Sequence, residues 1–168
     1  MFFGFGITFF VFSMGRQAGK TNFLVTDRES VGIIQLKGLI TDADKVLDQL
    51  LQFRLSKSVK AVVVRIDSPG GAVGASQEIF SEITRLNKVK PVVASMGSVA
   101  ASGGYYAAIG AGKIIASPGT LTGSMGVIFK FPNLEEIFQK IGYRDEVIKS
   151  GNLKDIGSSS RTLTDEER

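Results

Sequence analysis

The chain has 168 residues, enough for one domain with its own core and too few for two large ones. Its net charge of +4 comes without a block of like basic charges or a basic–aromatic stripe, so nothing in it points to nucleic acid as a partner. It contains no histidine and no cysteine, which excludes disulfides, thiolate chemistry and a Ser-His-Asp relay within the chain, and argues against a transition-metal site; no cofactor is expected.

Met1 to Met14 carry no charge and six phenylalanines, and the apolar stretch ends at Arg16 and Lys20. It is shorter than the roughly 17–25 residues of a membrane-spanning helix and lacks the basic start of a secretory signal. Three readings stand: the distal part of an anchor whose start is missing, a short or tilted anchor, and an apolar segment that packs on the domain or on a partner. Two charges are too thin a count to fix an orientation. Residues 15–21 read as a linker, and residues 22–168 as the main domain.

Strands and helices then alternate. Val31 to Leu36 is a strand-type run. Thr41 and Asp44 form a capping-box-like start, followed by Ala43, Val46, Leu47, Leu50 and Leu51 at helical spacing. Ala61 to Ile66 is nearly continuous and β-branched, as in a buried parallel strand, and it ends in the turn signal Asp67-Ser68-Pro69-Gly70-Gly71. Ile79, Phe80, Ile83 and Leu86 mark a helix face. Pro91 to Met96 predicts a strand, with Ser102 just beyond its end and a small-residue helix after that. Lys113 to Ala116 predicts a strand, and Ser117 to Thr120 a turn. A further strand is expected through Val127 and Ile128, a helix over Leu134, Ile137, Phe138 and Ile141, and a last strand over Glu146 to Lys149. The rhythm argues for an α/β fold with a mainly parallel sheet. Thr164-Asp165-Glu166-Glu167 has the pattern of a helix start, yet the sequence stops at Arg168. A helix that short is not stable alone, so the expectation is a fragment or a truncated member of something longer.

Ser102 is flanked by Ala100, Ala101, Gly103 and Gly104, which leave room for a substrate carbonyl. The Gly103 N–H, at a helix start, can face a developing oxyanion. Gly70-Gly71 follows the neighbouring parallel strand on the same side of the sheet and can supply a second donor, because glycine lets an N–H turn outward. Taken singly, a serine among small residues is more often a close helix–sheet contact, and Pro-Gly-Gly more often a plain turn. Their order and spacing together favour function. Without histidine, a nucleophilic Ser102 needs another base, and lysine is the known substitute.

Asp67-Ser68-Pro69-Gly70-Gly71, Ser98-Val99-Ala100-Ala101-Ser102-Gly103-Gly104-Tyr105-Tyr106, Thr122-Gly123-Ser124-Met125-Gly126-Val127 and Lys149-Ser150-Gly151-Asn152-Leu153-Lys154-Asp155 closely resemble the signal peptide peptidase A family of serine proteases, in order, from about Val31 onward. The resemblance implies a Clp protease/crotonase-like spiral of ββα units. It implies Ser102 as nucleophile, Lys154 as general base, Ser124 as the hydroxyl that orients the lysine, and Gly71 and Gly103 as oxyanion-hole donors. It also implies an N-terminal membrane anchor, a catalytic domain on the outer side of the cytoplasmic membrane, and apolar signal-peptide remnants as substrates. In single-domain members the serine and lysine that meet come from neighbouring subunits of a ring-like homo-oligomer. The family chain continues past the lysine in helical segments, so their absence here bears on assembly and activity.

Lys154 must be neutral to take the Ser102 proton, whereas free lysine titrates near 10.4. Burial lowers that value, and a hydroxyl such as Ser124 can accept from the amine without holding it charged, as a carboxylate would. Asp155 is therefore expected to point away. Lys149 is the competing base. The competing functions are a related peptidase with other targets (a membrane-protein or phage-maturation protease), a crotonase-like acyl-CoA enzyme, and a truncated, non-catalytic assembly module.

Overall fold

The computed structural model describes residues 29–168; the apolar segment 1–14 and the linker 15–21 lie outside the described residues. The elements run β1 (Ser30–Lys37), α1 (Asp44–Leu55), β2 (Val59–Ser68), α2 (Val73–Asn87), β3 (Val92–Ala101), α3 (Gly103–Ala108), β4 (Lys113–Ile115), β5 (Leu121–Gly123) and α4 (Glu135–Lys140). The sheet order is β1-β2-β3-β4, with β5 also on β3, and every pairing is parallel. Strands joined through helices cannot close tight hairpins, so parallel pairing follows from the alternation itself.

Helices cover one face of this sheet. Ile34, Val62, Val64, Ile66 and Ala94 are fully buried there against Leu50 of α1 and Ile79, Ile83 and Leu86 of α2. Burying each large aliphatic side chain contributes about 1.5–3 kcal/mol. The buried Glu82 carboxylate lies 2.9 Å from Arg54 Nε and so ties α2 to α1. Phe80 and Tyr106 stack with ring centroids 4.6 Å apart, seating α3 on α2.

Several expectations change. β2 is buried on one face only: Val62, Val64 and Ile66 are covered while Arg65 is exposed, because no layer of the described residues covers the opposite face. Thr41 does not cap α1. Its hydroxyl donates to Asp42, and Ala43 is the N-cap residue, with no side-chain bond. Neither Val127-Ile128 nor Glu146–Lys149 is a strand; the pairing strand is β5, just upstream. A strand requires a partner for its backbone groups, and these stretches meet none: Ile128 is 79% exposed and Ile148 96%. Thr164 to Glu167 forms a turn in which the Glu167 carboxylate accepts the Thr164 N–H at 2.8 Å, the reach-back half of a capping box.

Candidate active site

β2 and β3 are parallel neighbours, paired up to Ser68 and Ala100, so the turns after them emerge side by side. Ser102 follows β3 immediately and precedes α3. Its φ of 51° and ψ of −120° belong to a turn conformation that glycine normally occupies. Holding a residue with a Cβ there costs on the order of 1–3 kcal/mol. The Ser102 N–H is tied to the Gly123 carbonyl at 2.8 Å, and its own carbonyl accepts the Tyr106 N–H at 2.8 Å. A sharp strand-to-helix turn of this kind presents a hydroxyl at the sheet edge instead of folding it into a helix face.

Gly71 lies opposite Ile40 in an isolated parallel bridge. The Ile40 N–H bonds the Gly70 carbonyl, and the Ala72 N–H bonds the Ile40 carbonyl. Because peptide groups alternate along extended backbone, the Gly71 N–H turns to the other side, where no acceptor among the described residues meets it. Glycine is required for this approach: an added Cβ would stand 2.0 Å from the Ile40 oxygen. At Gly103 an added Cβ would stand 2.2 Å from Ser76 Oγ, which is itself buried and bonded to the Ala72 carbonyl. Ser102, Gly103 and Gly71 line one cleft of about 880 Å³, together with Ser76, Tyr106 and the segment Met125 to Phe129.

Ser68 is a residue that the motif reading passed over. It is fully buried; its hydroxyl donates to the Gly38 carbonyl at 2.6 Å and accepts the Gly70 N–H at 3.1 Å. It thereby fixes the turn that aims Gly71. Ser68→Ala leaves both backbone groups unpaired, so a stability loss of about 1–3 kcal/mol is expected in thermal unfolding. A fall in kcat larger than the change in KM is expected with it. Unchanged melting would contradict the role. The signal was present in the sequence, since Ser68 sits inside the Asp67–Gly71 motif, but a turn serine carries no mark of burial.

The other predicted residues are placed differently. Ser124, with φ of 52°, is exposed beside Gly123, the residue that holds the Ser102 N–H. Lys154 is exposed and does not line the cleft. From Asn133 to Arg168, each hydrogen bond among the described residues closes within that stretch, as between the Leu134 N–H and the Ser159 carbonyl. One protomer brings Ser102, Gly71 and Gly103 to one cleft, and Lys154 is not among the residues that line it.

Lys149 is engaged elsewhere. Its amine donates to Asp155 Oδ1 at 2.6 Å, and Arg161 Nε donates to Asp155 Oδ2 at 3.0 Å. Arg161 also grips Glu167, with Nη1 2.7 Å from Oε2. The bonds from Arg161 and Lys149 hold the Asp155 carboxyl well below the usual carboxylate range. Those from Arg161 and the Thr164 N–H lower Glu167 to about 2. Groups depressed in this way stabilise the folded state above their ordinary range and lose that contribution as pH falls through the folded value. Acid is thus expected to loosen residues 133–168 between pH 4.5 and about 2, ahead of the sheet. Amide exchange at Thr164 measures it; protection that persists at pH 2 would contradict it. No cluster among the described residues could hold a metal ion, and no helix among them is long and apolar enough to cross a membrane.

Two parallel strands that deliver a strained serine and two glycines to one cleft fit a domain of the Clp protease/crotonase-like class, and residues 20–121 match the family model for Clp protease. Residues 84–168 match the model for peptidase family S49. The chloroplastic serine protease SPPA of Arabidopsis thaliana is 42% identical over 137 residues, 81% of this chain and 20% of that protein. Protease 4 of Salmonella typhi is 37% identical over 147 residues, 82% of this chain and 24% of that protein. Among solved structures, a lysine-to-alanine mutant of a membrane-bound stomatin-specific protease in complex with a substrate peptide is 29% identical with a TM-score of 0.52, covering 62% of this chain and 48% of that one. The chain belongs to peptidase family S49, the family of the signal peptide peptidase A proteases. It spans about half the length of the curated relatives it matches, or less.

Proposed function

We propose that the chain is the catalytic part of a serine endopeptidase that works through a Ser102–Lys154 dyad shared between neighbouring subunits. The observation that supports the reading is the strained turn at Ser102, in a cleft that Gly71 and Gly103 also line. Neutral Lys154 of one subunit removes the Ser102 Oγ proton as Oγ bonds the substrate carbonyl carbon of the other. The carbonyl electron pair moves onto oxygen, where the two glycine amides receive it. The Lys154 ammonium then protonates the departing amine, leaving an acyl-serine. Water, losing a proton to Lys154, attacks the acyl carbon, and Ser102 leaves with its hydroxyl restored. Ser124 accepts from the lysine amine and orients it.

Apolar peptides such as cleaved signal-peptide remnants are the substrate class, supported by the Tyr106, Met125, Val127, Ile128 and Phe129 side chains along the cleft. β-Strand addition suits the segment after β5, whose backbone meets no strand among the described residues. In this reading residues 1–14 associate with the membrane, residues 15–21 link, residues 22–168 form the peptidase domain, and the site faces the extracytoplasmic side. The test is labelling of the assembled protein by a fluorophosphonate probe. Labelling that disappears in Ser102→Ala supports the peptidase; an assembled, folded protein that takes no label defeats it.

A further inference from the structure

Asp155 is the residue next to Lys154 and would hold the lysine charged if its carboxylate faced the amine. It does not face it. Lys149 donates to Oδ1 at 2.6 Å, and Arg161 meets the same oxygen at 2.9 Å through Nη2 and Oδ2 at 3.0 Å through Nε. Among the described residues no carboxylate pairs with Lys154. The guanidinium is fixed from its far edge by Glu167, whose side chain is 1% exposed and also accepts the Thr164 N–H. Asp155 and Glu167 together balance Lys149 and Arg161, so this cluster, next to Lys154 in the chain, is neutral in sum.

We propose that Arg161 is a positioning residue for the base: with Lys149 it occupies the Asp155 carboxylate, so that the neighbouring Lys154 amine can lose its charge. The inference rests on the reading of Lys154 as the base. A planar fork is suited to the task, since it can hold Asp155 on one edge and Glu167 on another, whereas an ammonium is a point charge. The same arrangement keeps Lys149 paired with a carboxylate and out of competition for the proton. The hollow beside the cluster is also lined by Glu135, Arg144 and Asp145. Glu135 accepts the Thr162 hydroxyl at 3.3 Å, and Asp145 accepts the Tyr143 hydroxyl at 2.8 Å, so both carboxylates have partners of their own.

A charge cycle tests the proposal through the limb of kcat/KM that rises with pH as the base deprotonates. Arg161→Gln leaves the cluster net negative and is expected to move that limb up by roughly half a unit to one unit. Asp155→Asn leaves it net positive and moves the limb down. The double variant returns it to the wild-type position, and Arg161→Lys, which keeps the charge, stays near it even if its melting temperature falls. A merely structural cluster would lower stability and leave the midpoint in place. Limbs that coincide, or shift in the reverse order, overturn the proposal. Lys154→Ala separates the levels: if it retains hydrolysis, the base assignment itself fails; if it is inactive while the limbs coincide, only the role of Arg161 fails.

Discussion

Ser102→Ala is expected to reduce peptide hydrolysis by roughly ten-thousand-fold or more, the scale seen when a covalent nucleophile is removed. The fold should persist. Alanine keeps the Cβ and therefore the same φ of 51°, so the variant neither adds nor relieves backbone strain. Ser102→Gly separates the two effects. It removes the same hydroxyl but fits the turn without strain, so it is expected to be equally inactive and more stable by about 1 kcal/mol in thermal or denaturant unfolding. A protein in which Ser102→Gly is both inactive and less stable would show that the turn owes its shape to something other than the presentation of a nucleophile. Residual activity within tenfold of wild type in Ser102→Ala would exclude a covalent role for the serine.

Lys154→Ala is expected to abolish hydrolysis to a similar extent, because in the proposed mechanism no other group takes the Ser102 proton. The exposed position of Lys154 in the single chain implies little loss of stability. Lys149→Ala is expected to behave in the opposite way. Its amine is spent on Asp155, with side chains 32% and 16% exposed, so its removal should weaken the C-terminal segment and move the rising pH limb upward, while hydrolysis persists. An inactive Lys149→Ala beside an active Lys154→Ala would reverse the assignment of the base.

The two turns that build the cleft were legible in the sequence because their constraints are local. A β-branched run followed by Ser68-Pro69-Gly70-Gly71 can be little else than a strand and its stop, and small residues from Ala100 to Gly104 announce close backbone approach. Val127-Ile128 and Glu146–Lys149 do not form the strands their apolar runs suggest, because such a run specifies a strand only when another strand is there to receive its backbone. Within one protomer that stretch is open, with Phe129 78% exposed. The Asp155–Arg161–Glu167 network left no trace in any periodicity, since its members pair across irregular turns. The choice between Lys149 and Lys154 could not be made from spacing at all. It came from resemblance, and the engagement of Lys149 by Asp155 now adds a physical reason.

In one protomer Ser102 and Lys154 share neither a cleft nor a hydrogen bond, so the central claim concerns what happens between protomers. The direct measurement is hydrolysis by co-assembled Ser102→Ala and Lys154→Ala proteins, each inactive alone. Random mixing places an intact serine opposite an intact lysine at about a quarter of the subunit contacts, and activity should return to about that fraction of wild type. Mixed oligomers, verified by native mass spectrometry, that stay as inactive as either parent would contradict a dyad shared between subunits.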